Sequence, residues 1–139
     1  MANKTLARQL VEAFGYPETM QKLYSEDIVW SMTKSLGRMA GPYVGRDAVI
    51  AFNERVWGSF YTPEGEIEIL DDLGDDEQGA VRFNYKTTLR SNGKPYELEY
   101  IVFAHGRDGL LTEVFESLDS LGSVNLFADQ PMDRNPYRR

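Results

Sequence analysis

Glu116 stands in the run Glu113-Val114-Phe115-Glu116-Ser117-Leu118-Asp119, with Val114 and Leu118 two positions to either side. In extended chain these three side chains share one face. A carboxylate flanked on its own face by apolar residues is set for burial, which disfavours the charged form and raises its pKa toward neutrality. A group tuned in this way can trade a proton as a general acid or base. The bland alternative is a Glu at a sheet edge, in solvent or paired to an Arg.

Tyr85 alternates in line with Val81 and Phe83, and Tyr100 with Leu98, Val102 and Ala104. A buried phenol needs a partner for its hydroxyl. Either could hold Glu116, donate a proton or stabilise an enolate-like oxygen; either could equally be a core tyrosine with its hydroxyl at a rim. His105 is the only imidazole. Its parity joins it to Ile101 and Phe103, opposite Val102, so it turns away from any pocket that Val102 faces unless a bulge intervenes. It is kept as a secondary candidate.

What the chain lacks narrows the chemistry. One histidine excludes a two-histidine metal site within one chain, and the absence of cysteine excludes a thiol nucleophile, an iron–sulfur cluster, a Cys-based zinc site and a disulfide scaffold. The acidic run from Asp71-Asp72 to Asp75-Asp76-Glu77 lacks the ligand spacing of a calcium loop and reads as a solvated turn. No Lys-Ser/Thr pair follows Gly41 to Gly45, so that loop is no phosphate cradle. Asp119, on the parity opposite to Glu116, reads as a turn cap. No metal and no cofactor is expected.

The elements that must position these residues follow from periodicity. Leu6, Leu10, Val11 and Phe14 lie on one side of a helix over residues 5–14. Pro17 suits the first turn of a second, short helix ending at Ser25-Glu26-Asp27, and Ile28-Val29-Trp30 begins a short strand. Residues 35–44 form a rim or lid loop. Val49, Phe52, Val56 and Phe60 then mark a third helix, widened by Ile50 and Trp57. After Pro63 the period becomes two, over residues 66–69, 81–85, 96–105 and 110–119, with hairpin turns at Asn92-Gly93 and Asp108-Gly109. Residues 120–139 read as a polar tail.

The composition, 139 residues with 42% apolar and 27% charged, is that of one globular domain able to build a core around a pocket. A net charge of -7 argues against nucleic acid, whose phosphates need Lys or Arg. No apolar run approaches the ~20 residues that cross a bilayer. The start Met1-Ala2-Asn3-Lys4 leads into a mixed pattern unlike a secretory leader, which sets the expectation of a soluble, cytoplasmic protein. Residues 100–104 offer apolar side chains to both faces of the sheet while the helices can cover only one. A second copy of the chain is therefore expected on the outer face, giving a homodimer.

Three stretches carry a resemblance. Tyr24-Ser25-Glu26-Asp27-Ile28-Val29-Trp30 leads into a first strand, and Gly41-Pro42-Tyr43-Val44-Gly45-Arg46-Asp47-Ala48-Val49 runs from a Gly-rich loop into a helix. Arg107-Asp108-Gly109-Leu110-Leu111 followed by the run around Glu116 forms a hairpin and a carboxylate-bearing last strand. In this order, over residues 5–121, the chain resembles the nuclear-transport-factor-2-like fold. It is most similar to the SnoaL-like branch of polyketide cyclases, ketosteroid isomerases and limonene epoxide hydrolases. The resemblance implies an α+β fold, a cone of three N-terminal helices packed on a curved antiparallel sheet. It implies a single domain over residues 1–121 and a tail over 122–139.

The resemblance also places Glu116 where the epoxide hydrolases and cyclases carry a functional Asp, with one methylene of extra reach here. Trp30 and Met32 stand where the epoxide hydrolases hold their nucleophilic water with Tyr and Asn. Phe83 and Tyr85 stand where those enzymes carry an Arg and a second Asp. Val102 replaces the oxyanion-binding Asp of the ketosteroid isomerases. With the water-activating set missing, the implied pocket is dry and aromatic. Trp30, Met32, Phe83, Val102 and Val114 from the strands, with Trp57 and Phe60 from the helix, would bind a hydrophobic, ring-containing molecule. The fold hosts many activities, so function rests on the site. The reading is a cofactor-independent isomerase, dehydratase, cyclase or lyase in which Glu116 moves the proton and Tyr85 and Tyr100 assist. Its alternatives are a small-molecule-binding module without catalysis and, more remotely, a transport adaptor.

Overall fold

The structure is a computed structural model, and it describes residues 4–128. The first helix, α1 (Leu6–Glu12), is capped by the Thr5 hydroxyl, which accepts from the Arg8 N–H, and it buries Leu6, Ala7, Leu10 and Val11. Gly15 follows at φ 95, and a Cβ there would meet the Pro63 carbonyl oxygen at 2.5 Å, so only glycine fits this crossing. Pro17 opens α2 (Pro17–Met20). Strand β1 (Tyr24–Met32) starts earlier than periodicity suggests: Ser25-Glu26-Asp27 does not break a helix but carries a register shift inside the strand.

Two 3-10 turns over Lys34–Ala40 and the short β2 (Tyr43–Val44) fill the region expected to be a loop. Helix α3 (Arg46–Arg55) runs into a wider π turn, Val56–Phe60. The four later strands are β3 (Glu66–Gly74), β4 (Gln78–Thr88), β5 (Pro95–Arg107) and β6 (Leu110–Leu118), each at or near its expected place. Asp108 and Gly109 turn the last hairpin with φ 54 and 80, as a primed turn requires.

The curved sheet has the order β2-β1-β6-β5-β4-β3, and β1 runs parallel to β6 while the other pairs are antiparallel. The expected all-antiparallel sheet is thus corrected at one junction. The reason is topological: β1 returns against the far edge of the meander instead of opening it, as a strand followed by a crossover can.

Alternation in β5 is nearly strict. Tyr96, Tyr100, Val102 and Ala104 are buried under the helices, while Phe103 and His105 are exposed on the other face. The bulge that could have reversed this parity lies beyond it: His105 pairs with Glu113 and Gly106 with Leu111, leaving Thr112 as the extra residue. On the outer face Arg82 bridges Asp71 and Glu99, both at 2.6 Å, beside the rings of Phe103 and Phe115.

A fourth helix, α4 (Ser120–Ala128), occupies sequence expected to be tail, and it crosses the division placed at residue 121. The nine residues are mostly apolar or small, and Asp119 caps them by accepting from the Gly122 N–H at 2.8 Å. The charges that made this stretch read as a tail begin at Asp129 and the prolines at Pro131, and the rest of the expected tail lies outside the described residues, as does the start of the chain. Among the described residues no helix is long and apolar enough to cross a membrane.

Candidate active site

Pairing in the sheet fixes Glu116 from both sides. It lies opposite Val102 of β5 and opposite Met32 of β1. Trp30, two residues back along β1, donates its indole N–H to Glu116 Oε1 at 2.9 Å. Trp30 is fully buried, and the rings of Tyr24, Phe52 and Phe14 surround it at 6.2, 6.1 and 6.5 Å. The donor is therefore locked by packing. Burial pushes the Glu116 carboxyl up to about 7, and the Trp30 hydrogen bond opposes that rise by favouring the anion.

Glu116 fronts a cavity of about 520 Å³ between the sheet, α3, the π turn, the 3-10 segment and α4. Of the expected binding residues, Met32, Trp57 and Phe60 line it, together with Tyr85 and Tyr100. Trp30, Phe83, Val102 and Val114 do not. They lie behind the wall as fully buried core, and Trp30 reaches the site through its hydrogen bond to Glu116 and its packing on Phe14 and Phe52. His105 is outside, on the exposed sheet face.

The tyrosines are held differently from the expected arrangement. Tyr85 accepts from the Trp57 indole N–H at 2.8 Å, and Tyr100 pairs with the Tyr96 hydroxyl, which in turn meets Ser123 of α4 at 3.0 Å. Neither phenol is hydrogen-bonded to Glu116 among the described residues; that place belongs to Trp30. Burial raises the Tyr85 and Tyr100 hydroxyls, and the Glu116 charge raises them further, so both remain protonated donors.

Several lining residues escaped the sequence reading. Tyr61, Asn53, Ser123 and Phe127 all face the cavity. Asn53 carried a usable signal, since it sits on the apolar stripe with Val49 and Val56. Ser123 and Phe127 were hidden by the assignment of their segment to a tail. The 3-10 segment supplies Leu36 and Met39, consistent with the expected rim, and its Ser35 hydroxyl bonds Ser120 of α4 at 2.6 Å.

Comparison with known proteins places this geometry. The model of the SnoaL-like domain family matches residues 7–114. An isomerase candidate from Rhodopseudomonas palustris shares 17% identity, with 94% of this chain and 100% of that chain covered at a TM-score of 0.75. A candidate SnoaL-like polyketide cyclase from Jannaschia shares 14%, covering 94% and 99% at 0.71. A hypothetical protein with a ketosteroid isomerase-like fold from Catenulispora acidiphila, in complex with trimethylamine, shares 14%, covering 97% and 100% at 0.74. At these identities the likeness is one of fold. No protein of curated function matches the chain.

Proposed function

The chain belongs to the SnoaL-like domain family, and from that premise we propose that it is a cofactor-independent enzyme that moves a proton on a hydrophobic, ring-containing small molecule. The observation that carries this reading is Glu116, on the wall of a half-open, mostly apolar cavity, with its carboxyl near neutrality and one oxygen pinned by Trp30. A volume of about 520 Å³ suits a molecule of a few fused rings.

As the anion, Glu116 takes a proton from carbon beside a carbonyl, and the electron pair moves onto the carbonyl oxygen. Returned at another carbon, that proton completes an isomerisation; delivered to a departing oxygen, it completes a dehydration or a lyase step. Tyr85 and Tyr100 serve as neutral donors to oxygen as charge develops on it. The mostly apolar lining lowers the local polarity, which strengthens each of these interactions.

The test is hydrogen exchange from a panel of cyclic ketones in deuterium oxide, followed by NMR. Wild-type protein is expected to exchange the α-hydrogens of at least one, at a rate that rises with pH through a midpoint near 7, where Glu116 ionises. Trp30→Phe removes the donor that favours the anion, so its midpoint is expected to move upward. Absence of exchange across the panel, or a rate indifferent to pH, overturns the proposal.

The reading includes a second copy of the chain against the outer sheet face, supported by the exposure of Phe103 beside Phe115. Phe103→Glu is expected to convert a dimer to monomers in sedimentation velocity, and a wild-type protein that sediments as a monomer removes that part of the proposal.

A further inference from the structure

The turn between β4 and β5 holds Trp57 from outside the cavity. Leu89, just past β4, is fully buried and pairs with Tyr61. Its backbone bonds to Lys94 and Gly93, both at 2.9 Å, brace the turn. Arg90 follows it and reaches the carbonyls of the π turn after α3. Its backbone N–H donates to the Phe60 carbonyl at 2.9 Å. Its Nη2 donates to the Trp57 carbonyl at 2.8 Å, and its Nε to the Tyr61 carbonyl at 2.8 Å and to that of Trp57 at 3.2 Å. Arg90 itself does not line the cavity.

The π turn creates the need for this side chain. An α-helical repeat would give the Trp57 carbonyl the N–H of Tyr61, and a π repeat that of Thr62. The Tyr61 N–H instead goes to the Val56 carbonyl at 3.2 Å, and the Thr62 N–H leaves for the Thr88 carbonyl at 3.0 Å. The Trp57 carbonyl is thus left without a donor in its own helix, and the Arg90 fork supplies one. Any cation suits a helix C-terminus. The planar guanidinium adds donors at a fixed angle, so it sets where the carbonyl points. At its other end Trp57 gives its indole N–H to the Tyr85 hydroxyl at 2.8 Å, with its ring against Phe14 at 5.3 Å. Tyr85 stands on β4 itself, so one strand and its turn grip Trp57 at both ends.

We propose that Arg90 is a positioning residue, which sets the Trp57 indole against Tyr85 and so the direction in which the Tyr85 hydroxyl meets the guest. This inference rests on the reading of the cavity as an active site in which Tyr85 donates to oxygen. The Trp57 N–H occupies the acceptor side of the Tyr85 oxygen and leaves the phenol its own hydrogen to give. Arg90 acts on this donor through Trp57, without touching the guest.

The experiment reads the two indole N–H signals of the protein, from Trp30 and Trp57, in a proton–nitrogen NMR spectrum, with Trp57→Phe to assign them. In Arg90→Gln the Trp57 signal is expected to move toward its position in Tyr85→Phe, where the acceptor is gone, while the Trp30 signal stays. Loss of stability alone moves neither signal of the folded protein. Exchange of α-hydrogens from the cyclic ketones is expected to slow about tenfold in Arg90→Gln, part of the loss that follows removal of one donor to a developing oxyanion. In a Tyr85→Phe background the same substitution is expected to slow it less than about twofold, because the two residues act as one unit. Arg90→Lys keeps the charge and loses the fork, so it is expected to move the Trp57 signal too, and it serves where Arg90→Gln does not fold. A Trp57 signal that stays in place while the urea midpoint falls makes Arg90 a helix cap only and overturns the proposal, as does equal slowing in both backgrounds. A moved Trp57 signal in a protein whose wild type exchanges nothing supports the hold of Arg90 on Trp57 and removes the enzymatic reading, so the two failures are distinguishable.

Discussion

Glu116→Gln is expected to lower the rate of proton exchange by about two to four orders of magnitude, the usual worth of a positioned general base. The substitution is nearly isosteric. Its amide oxygen still accepts from the Trp30 indole N–H, which now lies 2.9 Å from Glu116 Oε1, so the side chain keeps its place in β6. What disappears is a group that can bind and release a proton near neutral pH. Affinity for a cyclic ketone of the panel is expected to change little, because the cavity wall retains its shape. Exchange measured by NMR, beside binding measured by fluorescence, separates the two effects. A variant that exchanges as fast as wild type would show that another group carries the proton.

The same residue is expected to make the stability of the fold depend on pH in a direction opposite to that of most carboxylates. Its carboxyl rises from the ordinary 4.5 to about 7 on folding because burial penalises the anion. Between these values the native state holds a proton that the unfolded chain has released, so stability falls as pH rises. The contribution is whole below about pH 4.5, declines through 7, and is absent above. A shift of this size corresponds to about 3 kcal/mol. Glu116→Gln has no proton to lose. Its urea midpoint is therefore expected to exceed that of wild type by a growing margin from pH 5 to pH 8, and then by a constant one. Equal margins at pH 5 and pH 8 would mean that Glu116 is not desolvated in the folded protein. A carboxyl group that weakens its own fold near neutral pH fits the role proposed for Glu116, a group placed for reaction rather than for stability.

The meander was legible in the sequence because alternation is a direct record of burial on one face. Val81, Phe83 and Tyr85, and Tyr100, Val102 and Ala104, fall on the buried side where parity places them. Glu116 was legible for the same reason. Alternation says which face a residue takes but not how deep it lies, and this is why Phe83, Val102 and Val114 were expected on the wall and stand behind it. Partners across the sheet were also hidden. The parallel contact of β1 with β6 pairs residues 84 positions apart around the site, and no local pattern announces that Trp30 rather than a tyrosine meets Glu116. The helix over Ser120–Ala128 was missed because its few apolar residues were averaged with the charged sequence that follows.

That helix has a consequence for how the molecule can change. The acid sits on a strand braced from both sides, whereas part of the ceiling, with Ser123, Phe127 and Ala128, comes from a separate piece at the end of the described chain. In the proposed reading, the proton-moving group and part of guest selection thus lie on different parts. Exchange of the terminal piece would retune which molecules enter and, through Ser123 and Tyr96, the seat of Tyr100, while Glu116 keeps its bracing between β1 and β5.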